Sequence, residues 1–352
     1  MSSEGDTYLD LRPGIDAPQV RRSKVAHEAM ESNASVALNV AAPSRRASRL
    51  PKQVQFPLIV ILSFSMSSLG YSMLNEGTKG ELAAIAKAPE LKYQVALLAA
   101  WRIFELAVGW YGNLDGYDLA ALNVLSHGPS QYLAAAFYDS SPWTAGACLA
   151  IDSLSSLVPF LLLRPLSDSH AASSAVPNKE IIADRTITLS TGLLAGLIYA
   201  VTFLVAVKTF FSTNFVLYFP GITRIEPALD STYGLLTAAV LMGLFGIAAH
   251  SFIFTPFEAT GRTSADTELD KFDPASATLA ETLRWNVWGY HTRTKVAILR
   301  TATVMLLTWV STFLQCYMTI NGVEAYGAAA YASIWSLAAM ATGMALELVG
   351  DV

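Results

Sequence analysis

The chain begins with a polar stretch of about 55 residues and then becomes a series of long apolar windows separated by polar links. Each window runs for about 20 residues, the length a helix needs to cross the hydrocarbon core. Within that core every backbone N–H and C=O must be bonded internally, which leaves helices or closed barrels. Barrel strands alternate with period 2, whereas these windows are continuously apolar. The pattern predicts an all-α, polytopic transmembrane helical bundle of about eight spans. They fall at roughly 56–74, 93–112, 118–138, 142–163, 186–208, 233–255, 296–318 and 325–348. The links after the second and third windows are very short, so the second, third and fourth helices are expected to be antiparallel neighbours.

Polar segments add detail. Residues 1–55, rich in Ser, Ala and Arg, read as a disordered tail. In it Arg45-Arg46-Ala47-Ser48 matches a basophilic kinase site at Ser48, or a basic cluster that attracts anionic lipid. The longest internal link, 256–295, predicts an amphipathic interfacial helix near 274–290. Asp273-Pro274 reads as its cap and first turn, Leu279, Leu283, Val287 and Tyr290 recur at helical spacing, and Trp285 and Trp288 suit the interface. Gly192-xxx-Gly196 in the fifth window marks a close-packing face.

Composition agrees with a bilayer as solvent. The chain is 53% hydrophobic and 14% charged, against roughly 25% charged in soluble domains. The net charge of −5 and the lack of a basic stripe exclude a nucleic-acid partner. Cys148 and Cys316 both lie in apolar windows, which argues against a disulfide framework. Lys and Arg number 16 on the tail side of the predicted topology and 5 on the other, with Lys208 counted in the smaller set. Positive residues concentrate in the cytoplasm, so both termini are expected there. The sequon Asn33-Ala34-Ser35 would then stay unmodified. Spans of this length suit endomembranes and the plasma membrane alike.

The candidate chemistry sits inside three consecutive windows. Arg102 and Glu105 share a face of the second at i, i+3 spacing, His127 lies mid-third before Gly128-Pro129, and Asp152 lies mid-fourth before Ser153, Ser155 and Ser156. Charges at this depth cost roughly 2.5–3.5 kcal/mol each on insertion scales, so they call for partners, water or a changed protonation state. Two readings follow. In one, the four residues line a polar cavity for a small solute or proton, His127 relays the proton, and Gly128-Pro129 opens backbone carbonyls toward the cavity. In the other, they form a structural knot of ion pairs fixing helix register. Asp115 and Asp118 read as a helix-entry turn with Asp118 as cap, or as a cation site; His250 reads as interfacial; Arg300 and Glu347 read as snorkelling to headgroups.

No HExxH, GxSxG or GxxxxGK[ST] motif is present, and the histidines show no paired metal-ligand spacing. The sequence thus points away from an enzyme and calls for no cofactor or metal. The segment Ser63-Phe64-Ser65-Met66-Ser67-Ser68-Leu69-Gly70-Tyr71-Ser72, with Trp101-Arg102-Ile103-Phe104-Glu105-Leu106-Ala107-Val108-Gly109-Trp110, resembles uncharacterised multi-pass membrane proteins of filamentous fungi. The resemblance extends through Arg164-Pro165-Leu166. It implies a membrane fold and a fungal source, and no activity. Small-solute or proton-linked transport among the second to fourth helices is the leading functional expectation; a non-catalytic scaffold or assembly factor is the alternative.

Overall fold

The computed structural model describes residues 51–87, 92–171, 176–225, 239, 243–274 and 277–351, within the compact unit Ala47–Val352. Ser48, the sequon and nearly all of the tail lie outside the described residues. Those described are mostly helical and include no strand; Ala86 and Ile320 form an isolated antiparallel bridge.

The helices are α1 Lys52–Gly77, α2 Glu81–Ile85, α3 Lys92–Tyr111, α4 Gly116–Phe137, α5 Pro142–Leu163, α6 Lys179–Ala183 and α7 Arg185–Tyr218. They continue with α8 over 243–259, α9 Ser264–Leu269, α10 Leu279–Trp288, α11 Thr292–Thr319 and α12 Ala325–Gly350. Five of them, α1, α5, α7, α11 and α12, are long and apolar enough to cross a membrane. They correspond to the first, fourth, fifth, seventh and eighth windows. Helices α3 and α4 have spanning length, at 20 and 22 residues, but Arg102, Glu105, Asn123 and His127 dilute their apolar character. The sixth window begins in residues outside the description, and α8 is its final part.

Helix α4 sits at the centre of the bundle. It packs on α5 and α11, while α1 leans on α5, α11 pairs with α12, and α12 packs on α7. Its N-terminus is set by a capping box: Asp115 accepts from the Asp118 amide at 2.9 Å, and Asp118 accepts from the Asp115 amide at 3.2 Å. The cap is therefore Asp115, three residues before the one the sequence suggested. Such a box satisfies donors that a helix start leaves free.

The Gly128-Pro129 step does not open α4 toward a cavity. Proline cannot donate to the carbonyl four residues back; that Leu125 carbonyl instead accepts from Thr308 Oγ1 at 3.2 Å. Pro129's own carbonyl accepts from Tyr331 at 2.8 Å. Gly128 is needed for a different reason: a Cβ there would lie 2.6 Å from the Phe245 ring. Around this contact Tyr132, Tyr199, Phe203, Phe245 and Trp335 form an aromatic core with centroids 5.1–6.4 Å apart. The Gly192-xxx-Gly196 face meets Gly246 of α8, where an added Cβ would strike the Gly192 carbonyl. That is the close backbone approach small residues permit.

The amphipathic helix forms later than the sequence suggested. Thr278 and Glu281 make another capping box, so α10 starts at Leu279, and Asp273-Pro274 stays outside it. Its three-residue Thr-x-x-Glu spacing bonds both ends of the first turn, which Asp273 cannot match from five residues upstream. No residue of α10 is buried; Leu279, Leu283 and Val287 are exposed while Trp285 stacks on Phe272 at 5.0 Å.

Candidate functional site

The structure brings Arg102, Glu105, His127 and Asp152 into one bonded cluster midway along α3, α4 and α5. His127 lies between the two carboxylates: Nδ1 is 2.8 Å from Asp152 and Nε2 is 3.0 Å from Glu105. Arg102 Nη1 donates to Glu105 at 3.2 Å and to Asn123 at 3.3 Å. Its Nη2 donates to the Asp152 carbonyl, Ser155 and Ser156 at 3.0, 2.9 and 2.6 Å. Glu105 also accepts from Trp101 at 3.0 Å and Ser311 at 2.6 Å, and Asp152 from Tyr71 at 2.9 Å. Five helices thus converge on the cluster. In a low-dielectric interior such mutual bonding is what makes buried charges tolerable.

The same four residues border a cavity of about 520 Å³. Its other lining comes from the second half of α1, from α2, the first half of α3, the second half of α4, the first half of α5 and the end of α11. The cavity therefore extends toward the end of the bundle where α1 joins α3 and α11 joins α12. Most of its wall is apolar, including Phe64, Leu82, Ile85, Val95, Leu98 and Ile320. Helix α2 lies across this end like a strap. Glu81 binds the Ser141 amide and, at 2.7 Å, Thr144 at the start of α5. The Lys87 amide donates to the Thr319 carbonyl at 2.8 Å, and the Asn321 amide to the Ile85 carbonyl at 3.0 Å. Hydrogen bonds from the Ser141 amide, then Thr144, lower the Glu81 pKa from its ordinary value.

Several contributors were not singled out from sequence. Asn123 stands one turn before His127, and Ser311 and Gln315 stand one turn apart on α11. Gln315 accepts from Ser130. Polar residues at i, i+4 within an apolar helix were the available signal.

A second cluster closes the other end of α4. Arg300 does not snorkel: its Nη1 donates to Asp118 at 2.6 Å and to the Phe252 carbonyl at 2.8 Å, and its Nη2 to Asp118 at 3.3 Å. Asp118 is fully buried, so pairing outweighs the pull of the headgroups. Asp115 accepts from Ser167 and, at 2.8 Å, lies against His170. Candidate ligand atoms of Asp115, Asp118 and His170 lie within 4.8 Å of one another, a spacing a metal ion could use. Arg300 already occupies both oxygens of Asp118.

Burial alone would raise the Asp115 carboxyl; His170 and the Asp118 amide overcome it and hold the group below the ordinary range. For His170, burial lowers the pKa, but the hydrogen bond and charge of Asp115 raise it above its usual value. His250 is buried rather than interfacial, 2.8 Å from Thr191 and stacked on Phe254. No family model, curated protein or solved structure matches the chain.

Proposed function

We propose that this multi-pass membrane protein couples a small solute to a proton at the Glu105–His127–Asp152 array. The observation that carries the reading is the pair of contacts at His127. An ionised carboxylate only accepts hydrogen bonds, and a neutral imidazole has one N–H and one bare nitrogen. With a carboxylate oxygen at 2.8 and 3.0 Å from the two ring nitrogens, both contacts are hydrogen bonds only if the array holds one proton beyond neutral histidine and two carboxylates. With Arg102 included, the formal charges then sum to zero, the favourable state for a group inside a membrane. Loss of that proton leaves a lone pair facing a carboxylate, so one contact must open. The array is thereby a proton site whose occupancy changes its geometry, and it borders a cavity. Eight spans, with α3, α4 and α8 crossing alongside the five apolar helices and both termini cytoplasmic, fit this use. The basic links then lie opposite the cavity end, and α10 lies on the cytoplasmic leaflet. The fungal resemblance adds no role to the site.

The second reading is a non-catalytic scaffold in which the cluster only fixes helix register. Its supporting observation is that Arg102, Glu105, His127 and Asp152 all have partners within the protein. The two separate in proteoliposomes holding a pH-sensitive dye, challenged with a panel of small solutes. Coupled transport gives solute-dependent proton movement in the wild type and none in Asp152→Asn or His127→Gln that still elute as folded protein. If the folded variants move protons as the wild type does, or no solute moves them, the scaffold reading stands.

A further inference from the structure

Resting on that proton-site reading, we infer that the 520 Å³ cavity binds a small organic ammonium ion with an apolar body, which exchanges for the proton of the Glu105–His127–Asp152 array. Three features select this class. First, both terminal nitrogens of Arg102 are committed to oxygen acceptors. The cation closest to the cavity is thus occupied, and an anionic ligand would have to strip those bonds. Second, the wall offers what an amine with an apolar body needs. Phe64, Tyr71 and Trp101 line it with aromatic side chains, whose rings attract cations, and Leu82, Ile85 and Leu98 add aliphatic wall from α2 and α3. Third, Ser63 borders the same cavity, and its buried hydroxyl has no hydrogen-bond partner. A buried polar group left unsatisfied costs stability; a ligand N–H pointing at Ser63 Oγ would supply the missing bond.

The exchange balances in charge. One ammonium ion enters and pairs with Asp152, one proton leaves the array to water, and the cluster with its ligand stays neutral. No covalent bond changes. The titratable and charged groups around the array are Tyr71 from α1, Arg102 from α3 and Cys148 from α5; α11 contributes the uncharged Ser311 and Gln315. The volume falls within the roughly 300–1,000 Å³ of small-molecule pockets.

The test is titration calorimetry of the full-length protein in nanodiscs with hexylammonium, repeated in two buffers of different ionisation enthalpy to count protons. Hexanol and hexanoate are the controls. The expected result is saturable binding of hexylammonium with about one proton released, and affinity rising about tenfold per pH unit by linkage. Ser63→Ala should weaken binding several-fold, and Asp152→Asn should abolish both binding and release. Should Asp152→Asn fail to fold, the pH slope of the wild type and the Ser63→Ala loss still decide. Hexanoate or hexanol binding as tightly as the amine overturns the inference, as does amine binding with no pH slope. Absence of amine binding beside solute-driven proton movement in the proteoliposomes overturns this ligand class alone. Absence of both overturns the transport reading with it.

Discussion

The two ionic clusters on α4 are built from the same parts. Each has two carboxylates, one histidine and one arginine: Glu105, Asp152, His127 and Arg102 in one, Asp115, Asp118, His170 and Arg300 in the other. What differs is where the bonds go. At the helix start, Asp115 and Asp118 accept from each other's backbone amides, and Arg300 also holds the Phe252 carbonyl. Those bonds define where α4 begins and how α11 docks on it. Midway along α4 the histidine is held by carboxylates alone through both nitrogens, and the carboxylates by other side chains. All four residues of this mid-helix cluster border the cavity and none of the other four does. The same residue types thus serve as a fastener where backbone amides hold the carboxylates, and as a candidate exchange site where side chains alone hold the carboxylates beside a cavity.

The contrast can be broken most forcefully at the fastener. Asp118→Ala strips the buried partner of Arg300 and half of the capping box. Removing one member of a buried pair costs roughly 3–5 kcal/mol, so this variant should show the largest drop in thermal stability in detergent. Asp152→Asn keeps the shape and an acceptor for Tyr71. It should cost about 1–3 kcal/mol, the range for a disturbed buried hydrogen bond, while abolishing proton movement in liposomes. If Asp152→Asn destabilises as much as Asp118→Ala, the two clusters are both fasteners.

A pH series separates the fastener further. The His170 pKa is raised in the folded state, so its contribution is complete below its unfolded value of about 6.5 and is lost as pH rises through the folded value. The melting-temperature gap between wild type and His170→Gln should therefore be full below about pH 6.5 and shrink as pH rises through the folded value. A constant gap would show that His170 acts by packing. Asp115, with a lowered pKa, contributes above the ordinary carboxylate value of about 3.9 and loses that contribution only well into acid.

The smallest effect is expected at the strap. Glu81→Gln keeps an acceptor but loses the charge that binds the Ser141 amide and Thr144. Hydrogen exchange should speed up in 81–87 with little change in melting temperature. The lowered Glu81 pKa means this anchor is present above the ordinary carboxylate range and loosens as pH falls through the folded value. Unchanged exchange would show that the Lys87–Thr319 and Ile85–Asn321 backbone bonds hold α2 by themselves.

Much of this was legible in the chain. Continuous apolar windows located α1, α5, α7, α11 and α12, because helix length and apolarity are local properties. The buried charges Arg102, Glu105, His127 and Asp152 stood out because each is costly in a membrane. Their mutual contacts were accessible too, since short links forced α3, α4 and α5 to be neighbours. Asn123 and Ser311 left only the faint signal of their i, i+4 spacing from His127 and Gln315, and Tyr71 left none, since uncharged polar residues are common in membrane helices and become informative only when packing aims them. Arg300 misled because a cation near a span end suits either headgroups or a partner. The deciding residue, Asp118, is 182 positions away in sequence. The Gly128-Pro129 step misled likewise: Thr308 takes the Leu125 carbonyl that a lone helix would leave open.

The most direct measurement is nitrogen-15 NMR of histidine-labelled protein in nanodiscs, with the His127 signals assigned by their loss in His127→Gln. The expected result is that both ring nitrogens of His127 carry or share a hydrogen in the folded protein. One should give it up reversibly as the solution is made alkaline, while the other histidines report an intact fold. A ring nitrogen that is bare from the start, or a hydrogen released only on unfolding, would contradict a proton site at the centre of this bundle.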